Sequence, residues 1–116
     1  MTEALTLSLH QEGATSILRM TGRVDSASSG QFEQQMETVF ADGPGIIIVD
    51  MAGIDYMSSA GLRVLLMAAK RVKAEGRQLI LCNMAGNIRE VFDISGFSAI
   101  FDIAGTLDEA RDRAGA

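Results

Sequence analysis

The sequence has one cysteine, one histidine, one proline, one tyrosine and no tryptophan in 116 residues, and aromatic residues make up only 5%. Each scarcity removes a class of function. A lone cysteine, Cys82, closes no internal disulfide, which fits a reducing compartment. One histidine beside one cysteine does not assemble the usual zinc ligand sets, and so few aromatics build no cage for a cationic ligand. No apolar run approaches the ~18 residues that span a bilayer. Residues 1–6 lack the basic flank and apolar core of a secretory signal, so a cytoplasmic location is expected. Positive charge is also in deficit: 10 Lys and Arg stand against 15 Asp and Glu, a formal net charge of -5. With the cations scattered along the chain, binding driven by nucleic-acid phosphates is excluded.

What remains is a chain that is 47% apolar. A domain of this length removes roughly two thirds of its unfolded surface from water, so it needs no disulfide or metal staple. One domain spanning residues 1–116 is expected. Leu5, Leu7 and Leu9 alternate with polar residues, residues 11–13 form a polar break, and Ile17, Leu18 and Met20 follow, the pattern of a β-hairpin. After Asp25 a serine-rich start precedes Phe32, Met36, Val39 and Phe40, whose spacing marks one face of a helix that residues 42–45, with the only proline, should end. Ile46, Ile47, Ile48 and Val49 read as a strand buried on both faces. A second helix, starting near Leu62, shows in Leu62, Leu65, Leu66, Ala69 and Val72, with a basic outer side carrying Arg63, Lys70, Arg71 and Lys73. Residues 79–82 form the next strand, and Ile88, Val91 and Phe92 a third helix ending near Gly96. Residues 100–103 read as a last strand, before a closing helix with Leu107 and Ala110.

The order predicts an α/β domain with a mixed sheet of four to five strands and about four helices. Helical crossovers make the second, third and fourth strands parallel, with the first antiparallel to the second. The carboxyl ends of the parallel strands then gather Asp25, Asp50 with a loop running to Ser59, and Asn83 at one edge, where such sheets carry their sites. His10 falls at the opposite edge.

The densest polar segment is Asp55-Tyr56-Met57-Ser58-Ser59-Ala60-Gly61, just before the second helix. At a helix start the first N–H groups lack partners and the dipole is positive, so Ser58 or Ser59 can cap the helix and an added phosphate would be stabilised in place. A cap alone is the plainer explanation of a serine there. Nucleophilic hydrolysis finds no Gly-x-Ser-x-Gly elbow and no base at this edge. Gly43-Pro44-Gly45 precedes a strand instead of following one and lacks Gly-Lys-Ser/Thr, so it is no phosphate loop. Cys82, inside an apolar run, reads as a buried inert thiol. Asp25 and Asp50 read as solvated or capping acids without a second ligand, so no metal and no cofactor are assigned.

Asp55-Tyr56-Met57-Ser58-Ser59-Ala60-Gly61-Leu62-Arg63-Val64-Leu65-Leu66 resembles the signature of the STAS domain, the family of sulfate transporters and anti-sigma factor antagonists. Gly22-Arg23-Val24-Asp25 is similar to the family segment that ends the second strand, and Arg89-Glu90-Val91-Phe92-Asp93-Ile94-Ser95-Gly96-Phe97 to its third-helix segment. The resemblance spans nearly the whole chain and implies an antagonist that catalyses nothing itself. It implies binding to an anti-sigma factor with serine kinase activity, phosphorylation at Ser59 with Ser58 as the alternative acceptor, and reset by a serine phosphatase. In the sporulation-type member an aspartate precedes the acceptor, where this chain has Ser58. The resemblance further places Asp25 near the acceptor and assigns the partner surface to Asp55, Met57, Ser58, Gly61 and Leu62. A STAS scaffold in a stressosome-like or phospholipid-transport complex is the other reading it implies.

Overall fold

The alternation of the first leucines does form a hairpin. In the computed structural model, which describes residues 4–43 and 45–115, β1 (Thr6–Glu12) pairs antiparallel with β2 (Thr15–Val24) through the two-residue turn Gly13-Ala14. The readings placed on residues 1–3 and on Pro44 lie outside the described residues. Helix α1 (Ser29–Asp42) follows and buries Phe32, Met36, Val39 and Phe40, the four residues its spacing picked out. Next come β3 (Ile46–Met57), α2 (Ser59–Glu75), β4 (Gln78–Cys82), α3 (Gly86–Ile94), a short 3₁₀ turn (Phe97–Ala99), β5 (Asp102–Ala104) and α4 (Leu107–Arg113).

The five strands form one sheet in the order β1-β2-β3-β4-β5, parallel from β2 onward and antiparallel between β1 and β2. Neighbouring parallel strands joined by right-handed crossovers that all step in one direction send every crossover helix to the same face. Accordingly α1, α2 and α3 share the main core with one set of strand residues, among them Leu18, Met20, Val49 and Leu81. The alternate residues Ile17, Ile48, Ile80, Cys82 and Ala104 lie on the other face, which among the described residues is covered by α4 and its end, through Leu107, Ala110 and Ala114. A strand covered on both sides reads as a continuous apolar run, which is why residues 46–49 were so legible. Among the described residues no helix is long and apolar enough to cross a membrane.

Three boundaries differ from the sequence reading. β3 does not stop at Val49: it runs to Met57, so the segment expected to be a loop is strand, paired with the second half of β2. Register shifts between Arg19 and Thr21 and between Gly22 and Arg23 twist this half. Here Ala52, Gly53, Asp55 and Tyr56 are exposed, and the apolar signature disappears with the covering layer. Helix α2 starts at Ser59, three residues before the expected Leu62. The last strand is residues 102–104 instead of 100–103, because Phe97, Ser98 and Ala99 take a 3₁₀ turn and leave Ile100 57% exposed.

Candidate functional site

The site is built where β2 and β3 end side by side. Arg23 faces Tyr56 and Val24 faces Met57 in parallel register, and the Ser58 N–H donates to the Val24 carbonyl at 2.7 Å, extending the ladder one residue past the strand. The chain leaving β2 turns tightly at Asp25. Oδ1 of Asp25 accepts from the N–H groups of Ala27 and Ser28, both at 3.0 Å, an arrangement in which an aspartate replaces a backbone acceptor at a turn. The Ser28 hydroxyl accepts from the Asp25 N–H at 2.9 Å and lies near two acceptors, the Arg23 carbonyl at 3.0 Å and Asp25 Oδ1 at 3.1 Å. Its hydrogen bond to Asp25 is the largest of the influences holding that carboxyl below the usual aspartate range, with the N–H groups of Ser28 and Ala27 and the Arg23 charge adding to it. Asp25 is therefore a carboxylate fixed at the rim of the site. Of the two readings the sequence left for it, solvated or capping, it takes the capping one.

The two serines separate into different roles. Ser58 has extended backbone, φ -81° and ψ 172°, and its hydroxyl accepts from the Gly61 N–H at 3.4 Å, so Ser58 is the cap. Ser59 is the first helical residue; it is exposed, and among the described residues its hydroxyl has no hydrogen-bond partner. The first turn of α2 holds no acidic residue, so the helix supplies no carboxylate of its own to offset its positive end. The first turn of α4 instead contains Asp108 and Glu109. Gly61 brings this helix end close to the sheet: a Cβ there would lie 2.6 Å from Val24 Cγ1 and 2.9 Å from Met57 Cγ.

Beside the serines, Tyr56, Met57, Leu62, Ile88, Val91 and Phe92 line a cleft of about 240 Å³ between the end of β3, the start of α2 and α3. Tyr56 is 43% and Val91 44% exposed, so Val91, expected on the inner face of its helix, points outward and only Ile88 and Phe92 anchor α3. The guanidinium of Arg23 lies 4.6 Å from the centroid of the Tyr56 ring, and its Nε is 3.6 Å from Asp25 Oδ2. Asp55 is exposed, and its carbonyl accepts from Asn87 Nδ2 at 3.3 Å, tying β3 to α3. The fold thus brings together Asp25, Met57, Ser58, Ser59, Gly61 and Leu62, with Asp55 at the outer margin. The sequence missed Arg23, Tyr56 and Asn87, because their contacts cross between strands or elements that are far apart in the chain.

The remaining polar candidates have other roles. Asp50 is buried at 7% exposure, and its Oδ1 accepts from the Ala52 N–H at 3.1 Å and Asn83 Nδ2 at 3.0 Å while Arg19 stands 3.7 Å from Oδ2. A buried charge held in this way braces the sheet, a correction to its reading as a solvated or capping acid. Cys82 is fully buried, and burial, helped by the Asp50 charge, pushes its thiol up to about 12. It is a packing residue, as expected. His10, on β1, lies opposite Ile17 of β2, away from the serines, and its Nε2 is 3.3 Å from Glu12.

Comparison with known proteins supplies the context. The protein BtrV of Bordetella bronchiseptica, whose name gives it as an anti-sigma factor antagonist, is 38% identical over 91 residues, which is 78% of each chain. The crystal structure of an anti-sigma factor antagonist from Mycobacterium paratuberculosis superposes with a TM-score of 0.90 over 97% of this chain and 96% of its own, at 20% identity, a likeness of fold. SpoIIAA, an anti-sigma factor antagonist of Bacillus, matches in its phosphorylated form with a TM-score of 0.72 at 26% identity, over 93% of this chain and 98% of that one. The STAS domain family model matches residues 6–110, nearly the whole of the sheet and its helices. The chain belongs to the STAS domain family.

Proposed function

We propose that this protein is an anti-sigma factor antagonist whose binding is switched off by phosphorylation at Ser59. The observation that carries the reading is the division of labour between the two serines: Ser58 is committed to the cap, and Ser59 presents an exposed hydroxyl at a helix start without an acid in its first turn. The names of its relatives and the phosphorylated form of SpoIIAA support the same reading. In the unmodified state the surface of Met57, Ser59, Leu62 and Tyr56 docks an anti-sigma factor that is also a serine kinase. Ser59 Oγ attacks the γ-phosphorus of ATP held by that kinase. The new O–P bond forms as the bond from the γ-phosphorus to the β,γ-bridging oxygen breaks, ADP leaves, and the hydroxyl proton passes to a base on the kinase. The phosphate adds about -1.5 to -2 charges at pH 7. The helix end receives it without unfolding, but burying it against a partner surface shaped for a neutral hydroxyl costs affinity. A serine phosphatase resets the cycle.

The test is a pull-down from the native host with wild type, Ser59→Ala and Ser59→Asp as baits and partners identified by mass spectrometry. Wild type and Ser59→Ala should recover a kinase of the anti-sigma type and Ser59→Asp should lose it. Equal recovery by all three, or recovery of transport or stressosome proteins only, sinks the switch and favours a scaffold.

A further inference from the structure

Every described arginine except one has a carboxylate partner, from 2.5 Å for Arg113 and Asp102 to 3.7 Å for Arg19 and Asp50. The exception is Arg63: it is exposed on α2, and among the described residues no hydrogen bond or ion pair holds it. Carboxylates outnumber cations 15 to 10. Lys70 and Lys73 also show no ion pair among the described residues but lie further along α2, which leaves Arg63 as the unpaired cation next to the helix start. Its position gives the reason. Arg63 follows Ser59 by four residues on one continuous helix, which puts the two side chains on the same face with Cβ atoms about 5–6 Å apart. Helical Cα–Cβ bonds tilt toward the N-terminus, so Arg63 leans toward Ser59. An anion N-terminal to a cation at this spacing is also the favourable order, because both then suit the helix dipole.

We propose that Arg63 is the internal receptor of the phosphate on Ser59, binding it through its guanidinium fork once the serine is modified. The inference rests on Ser59 being the acceptor. Arg23 is the rival receptor: its guanidinium lies over the Tyr56 ring and 3.6 Å from Asp25, but its buried Nε has no hydrogen-bond partner among the described residues, so the test below includes it. Arg63 gives the switch a second component. In the unmodified protein the free guanidinium stands one turn from the docking surface, available to an acidic group of the partner. Phosphorylation adds negative charge and, in the same event, withdraws that cation into an intramolecular pair. The partner meets both a new anion and a lost arginine, while the modified helix gains a charge-assisted, bidentate contact.

The test uses full-length protein with phosphoserine installed at position 59 by genetic encoding, so that it does not depend on any kinase choosing that residue. The second ionisation of the phosphate is followed by 31P NMR in wild type, Arg63→Gln, Arg63→Lys and Arg23→Gln. Pairing favours the dianion, so the wild-type pKa should lie below that of Arg63→Gln by about half a unit or more. Arg63→Lys should fall between them, because a point charge replaces a fork. Arg23→Gln should stay within about 0.2 unit of wild type, as expected for a charge outside the pair. Equal values for wild type and Arg63→Gln, or a larger shift in Arg23→Gln than in Arg63→Gln, overturn the assignment. Failure of the pull-down above would instead remove the partner-switching reading and leave this titration standing.

Discussion

The two ends of α2 are built on opposite principles. At its C-terminal end the arginines Arg71 and Arg77 are each held by several partners, while Lys70 and Lys73 stay exposed. Gly76 takes the left-handed conformation, φ 67°, and the Arg77 N–H returns to the Val72 carbonyl at 2.7 Å, closing the helix in the usual glycine-stopped manner. Arg71 lies 4.3 Å from the Phe40 ring centroid and binds Glu75 at 2.9 Å and Glu37 at 3.0 Å, while Arg77 donates to the Phe40 carbonyl at 3.1 Å. At the N-terminal end there is one long cap bond from Gly61 to Ser58, an exposed serine, and Arg63 with no described partner. Between the ends, Val64, Leu65, Ala68 and Val72 are buried in the core. A helix fixed through its middle and rear can have its front modified without unfolding, which is what a charge switch at Ser59 requires.

The comparison breaks most visibly at the one point where the front is tightly packed. In Gly61→Ala the new methyl must displace Val24, a fully buried and χ1-stiff residue, or Met57. Overpacking of this kind costs about 1–3 kcal/mol. Chemical denaturation should show this loss together with altered Tyr56 fluorescence, and unchanged stability would mean that the helix start is free to move off the sheet. At the rear, Gly76→Ala meets no clash, since nothing lies within 4 Å of the added Cβ, but it forces alanine to φ 67°. The left-handed conformation costs a non-glycine residue about 1–2 kcal/mol, to be read as a lower urea midpoint with the m-value kept.

Acid should loosen the rear and the front for the same reason. The hydrogen bond from Arg71, then that from Arg77, holds the Glu75 carboxyl below its ordinary value of 4.5, and the Ser28 hydroxyl does the same for Asp25, ordinarily 3.8. Both groups bind protons more weakly folded than unfolded. Their stabilisation is therefore fully present above the ordinary values and is lost as pH falls through the depressed ones. Melting temperature should decline as pH drops below about 4.5, and Glu75→Gln should flatten part of that decline. A profile for Glu75→Gln parallel to wild type would show that the rear cluster contributes nothing to it.

How much of this could be read from the sequence depends on how many sides of a residue the protein covers. Residues 46–49, covered on both faces, and the four anchors of α1 were legible because burial leaves an apolar pattern. The second half of β3 was not, since Ala52, Gly53, Asp55 and Tyr56 are strand residues on an uncovered face with a shifted register. Val91 was misread for a related reason: apolar spacing predicts the inner face of a helix, and α3 spends one such residue on the cleft beside Tyr56. The serine motif was legible as a helix start, but not which serine caps. That depends on which residue just past β3 bonds to the Val24 carbonyl, and the residue is Ser58. The isolation of Arg63 was beyond reach of the sequence, because it emerges only when the partners of the other arginines are known.

The smallest expected effects on stability sharpen the comparison furthest. Ser58→Ala removes the cap acceptor and should cost about 0.5–1 kcal/mol, at the weaker end of such caps because the bond is long. Ser59→Ala removes an exposed hydroxyl with no described partner, and alanine is the better helix former, so its stability should stay within about 0.5 kcal/mol of wild type. The two adjacent substitutions should then rank in opposite order for stability and for modification. Ser58→Ala would be the less stable protein that still accepts phosphate, and Ser59→Ala the unperturbed protein that does not. Thermal melts of both variants beside phosphate mapping after incubation with the cognate kinase measure the two orders directly. If Ser59→Ala melts lower than Ser58→Ala, the hydroxyl at position 59 is part of the helix start and the division between the serines fails. If phosphate appears on Ser58, the fold has committed its cap to the switch, and phosphorylation must fray the first turn of α2 in order to act.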